Sequence, residues 1–241
     1  MPEVAPRIRR VGEELVNAYL VEDGSGVVLV DAGGPADWST LPDELAAMGR
    51  TLADVRALLL THGHDDHIGY AERARQQGIA AHIHERDAAL ARGEEKNRIS
   101  VVGPYRPGPL LRFLVYYARR GLLRVPRIQE VSTFGDGATL DVPGAPRVIH
   151  VPGHTLGSAA LHFPGHDALF SGDAINTLAV TSGRTGPQLS PFNRDRAQAL
   201  DSLARLREIE ATHLLPGHGA PWNQGVQSAL AGVRAAEASR G

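Results

Sequence analysis

Seven consecutive residues, Thr61-His62-Gly63-His64-Asp65-Asp66-His67, constrain this chain more than its composition does. The aliphatic run Arg56-Ala57-Leu58-Leu59-Leu60 leads directly into them and reads as a short buried strand. Histidines two apart at a strand end can point to the same side, so His62 and His64 can share one cation. After the turn that follows, Asp66 and His67 can face a second cation close by. Imidazole and carboxylate donors suit zinc, with iron or manganese possible in the same shell.

Three later segments repeat the arrangement of an apolar run that ends at a donor. They are Val-Ile-His-Val-Pro-Gly-His154, Ala-Leu-Phe-Ser-Gly-Asp173 and His-Leu-Leu-Pro-Gly-His218. Functional side chains in sheet-based folds gather at strand ends, where loops converge on a rigid support. The glycines at 153, 172, 217 and 219 allow tight turns and close approach of backbone to a metal. One histidine beside a glycine says little; four segments in this order say much more. The remaining histidines, His82, His84, His150, His162, His166 and His213, lie in or beside expected strands and read as structural or surface residues.

The rest of the pattern predicts an α/β chain. Strands are expected at 15–21, 27–31, 56–60, 79–84, 147–151, 158–163, 167–171 and 212–215. Helices are expected at 40–49 (capped by Thr40), 69–77, 86–91, 195–208 (capped by Asn193) and 224–238. The stretches 103–109, 143–146 and 183–191 are rich in proline and glycine and read as loops rather than linkers. Residues 1–241 therefore read as one domain, interrupted by a helical insertion at about 94–130. That insertion carries six arginines and no acid between Arg106 and Arg127. It can pack on its own domain or on a second subunit as a homodimer contact; a substrate lid and a membrane-surface helix are the other readings.

Composition removes several function classes. With 25 basic and 27 acidic residues there is no global field to gather nucleic acid, so none is expected as a partner. The absence of cysteine removes thiolate zinc sites and thiol nucleophiles. The first residues show no secretory signal, and no apolar run approaches the ~18 residues of a membrane span. A cytoplasmic enzyme with a small-molecule substrate is the expectation.

HxHxDH followed by PGHT, SGD and PGHG, in this order, resembles the metallo-β-lactamase superfamily, from Val-Asp31-Ala-Gly-Gly through His218. The resemblance implies an αββα sandwich with two facing mixed sheets and helices outside. It implies a first zinc on His62, His64 and His154, a second on Asp66, His67 and His218, and Asp173 bridging them. Asp31 is expected to orient a ligand, and Asp66 to take up or relay a proton. β-Lactam-cleaving members generally carry cysteine or serine where Asp173 stands, whereas glyoxalase II-like thioesterases and lactonases carry aspartate. The resemblance therefore favours cleavage of an ester, lactone or thioester by a hydroxide held between two cations. An iron-dependent persulfide dioxygenase-like oxidoreductase and a metal-dependent phosphodiesterase or nuclease are the alternatives. Leu110, Leu111, Phe113, Leu114, Tyr116 and Tyr117 are expected to wall an acyl group, with Asn176, Thr177 and Arg184 as further substrate contacts.

Overall fold

The structure, a computed structural model, describes residues 3–101 and 103–239. Its first sheet has seven strands in the order Glu3–Ala5, Ile8–Glu13, Val16–Asp23, Gly26–Val30, Val55–Leu59, Ala81–His84, Ser132–Phe134. The first four form an antiparallel meander, and the last three add on in parallel. The second sheet runs His213–Pro216, Ala168–Gly172, Ala159–Phe163, Arg147–His150, with only its first pair parallel.

Strand alternation explains why the sequence shows near-continuous apolar runs here. Along Gly26–Val30, Val28 and Val30 pack toward the second sheet with Leu59, Phe163 and Phe170. Val27 and Leu29 face the opposite way, onto Leu41 and Leu45 of the helix Leu41–Ala46 and Ala71 and Ala74 of the helix Ala71–Gln76. The second sheet does the same, with Leu169 and Leu214 packed against Ala199, Leu203, Leu230 and Val233. Both faces of each sheet are covered, which gives four layers in αββα order.

The parallel strands have a consequence for function. Val55–Leu59, Ala168–Gly172 and His213–Pro216 all deliver their following residues to one rim of the sandwich, where the motif segments begin.

Several expected elements differ. The N-terminal strands Glu3–Ala5 and Ile8–Glu13 were not expected, because Arg9, Arg10 and Glu13 mask the alternation. The helix expected at 69–77 is Ala71–Gln76, preceded by a further short helix, Asp65–Ile68, that was not expected. The helix expected at 195–208 is α-helical over Arg196–Ser202 and continues as a 3-10 turn. Its cap is Asp195, whose carboxylate accepts from Gln198 N, rather than Asn193. Thr40 makes no side-chain cap; a 3-10 turn over Pro35–Thr40 leads directly into the helix. The glycine- and proline-rich stretch after Asp173 is a hairpin, Asn176–Ala179 with Arg184–Gln188, and not a loop. Among the described residues of 94–130 the helical content is one helix, Pro107–Arg119, and Ser100–Val101 pairs with Phe192–Asn193.

Candidate metal centre

At the rim, residues from four loops meet. His62 Nε2 and His64 Nδ1 lie 3.1 and 2.8 Å from His154 Nε2. A tetrahedral zinc with Zn–N of about 2.05 Å places its nitrogens about 3.3 Å apart, so this triad is close to ligand spacing. Asp66, His67 and His218 form a second group with donor atoms within 4.8 Å of one another. Asp173 stands between the two: its Oδ2 is 3.5 Å from His154 Nε2 and 3.2 Å from His218 Nε2, and its Oδ1 is 3.5 Å from His67 Nε2. All seven side chains are buried.

Hydrogen bonds on the far side of four of the five rings, all but His154, show which nitrogen faces inward. Thr61 Oγ1 donates to Asp31, so it accepts from His62 Nδ1 and leaves Nε2 as a lone pair. Asn97 Oδ1 accepts from His64 Nε2–H at 2.9 Å, leaving Nδ1 free. His67 Nδ1–H donates to Asp31 Oδ2 at 2.9 Å. His218 Nδ1–H donates to the Leu15 carbonyl. His62 Nε2, His64 Nδ1, His67 Nε2 and His218 Nε2 are therefore the nitrogens turned toward the cluster, as a ligand set for cations requires. Consistent with this, His67 Nε2 and Asp173 Oδ1 are buried with no hydrogen-bond partner.

The electrostatics show the same conflict. Burial, with the neighbouring His67, His154 and His64, drives His62 well below the usual imidazole range. Burial and then His64 lower His154 to about 3, so both stay neutral and ready to ligate. For His67, burial is outweighed by Asp31, Asp66 and Asp173, which push it up to about 10. Burial would raise Asp173, yet His218, His154 and His67 hold its carboxyl well below the usual carboxylate range. Without a cation, protons must occupy part of this cluster; a cation would displace them.

The supports are equally specific. Asp31 adopts φ +61°, a left-handed conformation costing about 1–2 kcal/mol, and from there its carboxylate reaches Thr61 N, Thr61 Oγ1 and His67. Asp87, buried, accepts from Gly63 N, Thr155 Oγ1 and Gly157 N, tying the first motif loop to the His154 loop. Asn17 donates to the Pro216 and Gly219 carbonyls, and Tyr19 O–H to Pro216, so the third strand straps the last ligand loop. A Cβ on Gly217 would sit 2.3 Å from Asp173 Oδ1 and 2.6 Å from His67 Cε1, which explains the glycine before His218.

Asp87, Asn97 and Asn17 were not singled out in the sequence. Only Asn17 carried a local signal, an amide inside the apolar run 15–21.

A cavity of about 130 Å³ opens over the ligands, walled by Ile99, Phe113, Tyr117 and Phe192, with Asp65, Asp66 and Asn97 at its edge. Phe113 and Tyr117, two of the residues expected to wall an acyl group, line this cavity. Leu110, Leu111, Leu114 and Tyr116 do not line it: Leu111 and Leu114 face solvent, and Tyr116 turns into the core because the helix presents only one side to the cavity. Asn176 and Thr177 are buried in the hairpin, where Asn176 Oδ1 accepts from His218 N and Thr177 Oγ1 donates to the Ala220 carbonyl. Arg184 is exposed and does not reach the cavity. Of the other histidines, His84 and His150 stack on one another at 4.1 Å, apart from the cluster.

Two facing mixed sheets with a dinuclear His/Asp metal site at one rim define a class of metal-dependent enzymes. Residues 11–218 match the family described as the metallo-beta-lactamase superfamily, and the chain belongs to it as a metal-dependent hydrolase. Among its relatives is YflN of Bacillus subtilis, named a probable metallo-hydrolase, 27% identical over 236 residues that cover 91% of this chain and 86% of YflN. The crystal structure of the metallo-beta-lactamase family protein TTHA1429 from Thermus thermophilus superposes with a TM-score of 0.70 at 27% identity, covering 98% of this chain and 80% of the other. TTHA1623, solved in a di-iron-bound form, gives 0.61 at 27% identity, covering 90% and 93%.

Proposed function

We propose that this protein hydrolyses an acyl ester-type bond, in an ester, lactone or thioester, of a small neutral substrate, using two divalent cations. The observation that carries this is Asp173: a buried carboxylate within 3.5 Å of ligands from both triads, with one oxygen unpaired. A single-cation site, as a dioxygenase of this fold would need, would use Asp173 as a ligand but leave part of the buried His and Asp donor set without an ion. Zinc suits the donor set best, and iron or manganese accept the same donors. His62, His64 and His154 would hold one ion, Asp66, His67 and His218 the other.

Bound there, the pair would lower the pKa of a water between them toward neutrality and polarise the acyl carbonyl. The chain's own residues do the rest. Asp66 lines the cavity beside His218, 3.5 Å from its Nε2, positioned to take up a proton released during hydrolysis. Burial and the carboxylates of Asp66 and Asp65 raise the Tyr117 phenol, so it stays protonated and available to donate to the substrate. Ile99, Phe113 and Phe192 exclude water and hold an apolar acyl group.

No lysine or arginine lines the cavity among the described residues. Arg127 is paired with Asp65 at 2.7 Å and Arg194 with Glu95 at 3.0 Å. A phosphodiester or a coenzyme thioester would find no lysine or arginine in the cavity lining to meet its phosphates, which favours neutral substrates over the nuclease reading.

The test is a panel of neutral esters, lactones, thioesters, phosphodiesters and a persulfide, run on protein of measured metal content. Activity on neutral acyl substrates that rises to a plateau at two cations per chain is expected. Full activity after metal stripping, or persulfide oxidation by a one-iron protein that leaves acyl substrates untouched, would overturn the proposal.

A further inference from the structure

The helix Pro107–Arg119 has two working sides. Phe113 and Tyr116 turn inward, and Tyr117 rims the metal cavity. The outward side is apolar where a solvent-facing helix should be polar: Leu111 is 63% exposed, Leu114 55% and Val115 41%, and Leu123, just beyond the helix, is 78% exposed. At about 100° per residue, Leu114, Ala118, Leu111 and Val115 form one continuous outward stripe.

Arginines edge that stripe. Arg112 and Arg119 follow Val115 around the helix and line an open groove with Leu111, Val115 and Tyr116, and Arg124 is exposed beside Leu123. None of these three arginines makes an ion pair among the described residues, whereas Arg120 is tied to Glu13 and Asp37 and Arg127 to Asp65. The stretch from Arg106 to Arg127 contains no acid.

We propose that this stripe docks the protein onto the surface of an anionic lipid bilayer, with Leu111, Leu114, Val115 and Leu123 entering the interface and Arg112, Arg119 and Arg124 meeting lipid phosphates. Charge complementarity selects this occupant. A second copy meeting the same face would bring two sets of unpaired arginines together, which costs energy rather than releasing it. A polynucleotide would meet the arginines but leave the leucines in water. An anionic bilayer satisfies both, as basic amphipathic helices that lie in the interface do. No helix of the described residues is long and apolar enough to cross a membrane, so the contact is peripheral. Because Tyr117 borders both the stripe and the cavity, docking would place the cavity mouth next to the lipid, a source of apolar acyl substrates.

The test is co-sedimentation of the full chain with vesicles of phosphatidylcholine alone and of phosphatidylcholine with phosphatidylserine, at low and high salt. Binding to the serine-containing vesicles, weakened by salt, is expected. Each arginine contributes about fivefold, so Arg112→Gln, Arg119→Gln and Arg124→Gln together should reduce partitioning on the order of 100-fold and flatten its salt dependence. Leu111→Gln with Leu123→Gln should weaken binding at both salt levels. All five positions are exposed, so circular dichroism of these variants should match the parent. No binding of the parent chain to the anionic vesicles overturns the proposal. So does binding that neither variant alters, or a concentration-dependent dimer in sedimentation equilibrium that the same substitutions abolish.

Discussion

Asp31→Asn separates the orienting role of that carboxylate from its backbone strain. Asparagine keeps the size and tolerates the +61° φ that Asp31 adopts. Its carbonyl oxygen can go on accepting from Thr61 N and Thr61 Oγ1. Its amide nitrogen then faces His67 Nδ1, where an oxygen had accepted a proton at 2.9 Å. Two donors cannot share that contact, so His67 must move its proton to Nε2, the nitrogen that faces Asp173 and the second cation position. A hydrogen bond to a charged group is worth about 1.5–3 kcal/mol, or roughly 10- to 150-fold in affinity. Loss of an outer partner of a ligating histidine typically costs about 10- to 100-fold, in agreement. The expected result is a cation site at Asp66, His67 and His218 weakened by that factor, with the His62, His64 and His154 site retained, since its rings are held by Thr61 and Asn97. Titration against a chromophoric chelator, with nitrogen NMR of the histidine tautomers, reads both. Two sites of parental affinity, or equal weakening of both, would refute the reasoning.

Gly217→Ala has an ordinary backbone conformation but drives a methyl into Asp173 and His67, so it should lower metal content per chain more than it lowers the melting temperature of the metal-free protein. Parental metal stoichiometry and affinity would argue against the close approach. Asp87→Ala leaves Gly63 N, Thr155 Oγ1 and Gly157 N without their acceptor; at about 1–3 kcal/mol per buried donor the cost is ~3 kcal/mol or more, a fall in Tm of about 6–12 °C in calorimetry. Hydrogen bonds from Arg75, from Gln129 N and from Gln76 lower Glu72 to about 2 in the folded protein, against an ordinary value of 4.5. Its folded-state pKa being the lower one, the stability it adds is fully present above about pH 4.5 and is lost as pH falls toward 2. Denaturant unfolding of Glu72→Gln should therefore show a deficit at neutral pH that closes across that window, and a deficit independent of pH would contradict it.

What the sequence made legible was whatever repeats locally. Val27–Val30 and Leu58–Leu60 announce strands buried on both faces, and the donors that follow such runs announce the rim. The strand Ile8–Glu13 was obscured because Arg9 pairs with Glu44 of a helix instead of standing in solvent, so a charged residue does not mark an outward face there. Asp87 and Asn97 were invisible for a different reason: their partners at 63, 155, 157 and 64 are distant in sequence, and a lone acid or amide in a polar stretch carries no period. The hairpin after Asp173 hid behind Gly183, Gly186 and Pro187, which suggest a loop; Gln188 holds it by donating to the Arg184 and Gly186 carbonyls.

The contact between His218 and the Leu15 carbonyl spans 203 positions. A chain emerging from the ribosome exposes most of its metal donors long before residue 218 appears, yet the strap from Asn17 and Tyr19 has nothing to grip until Pro216 and Gly219 arrive. That loop cannot close until the final strand has been synthesised. The hydrolytic centre is thus withheld from nascent chains, and a truncated product that ends before the final strand cannot complete it.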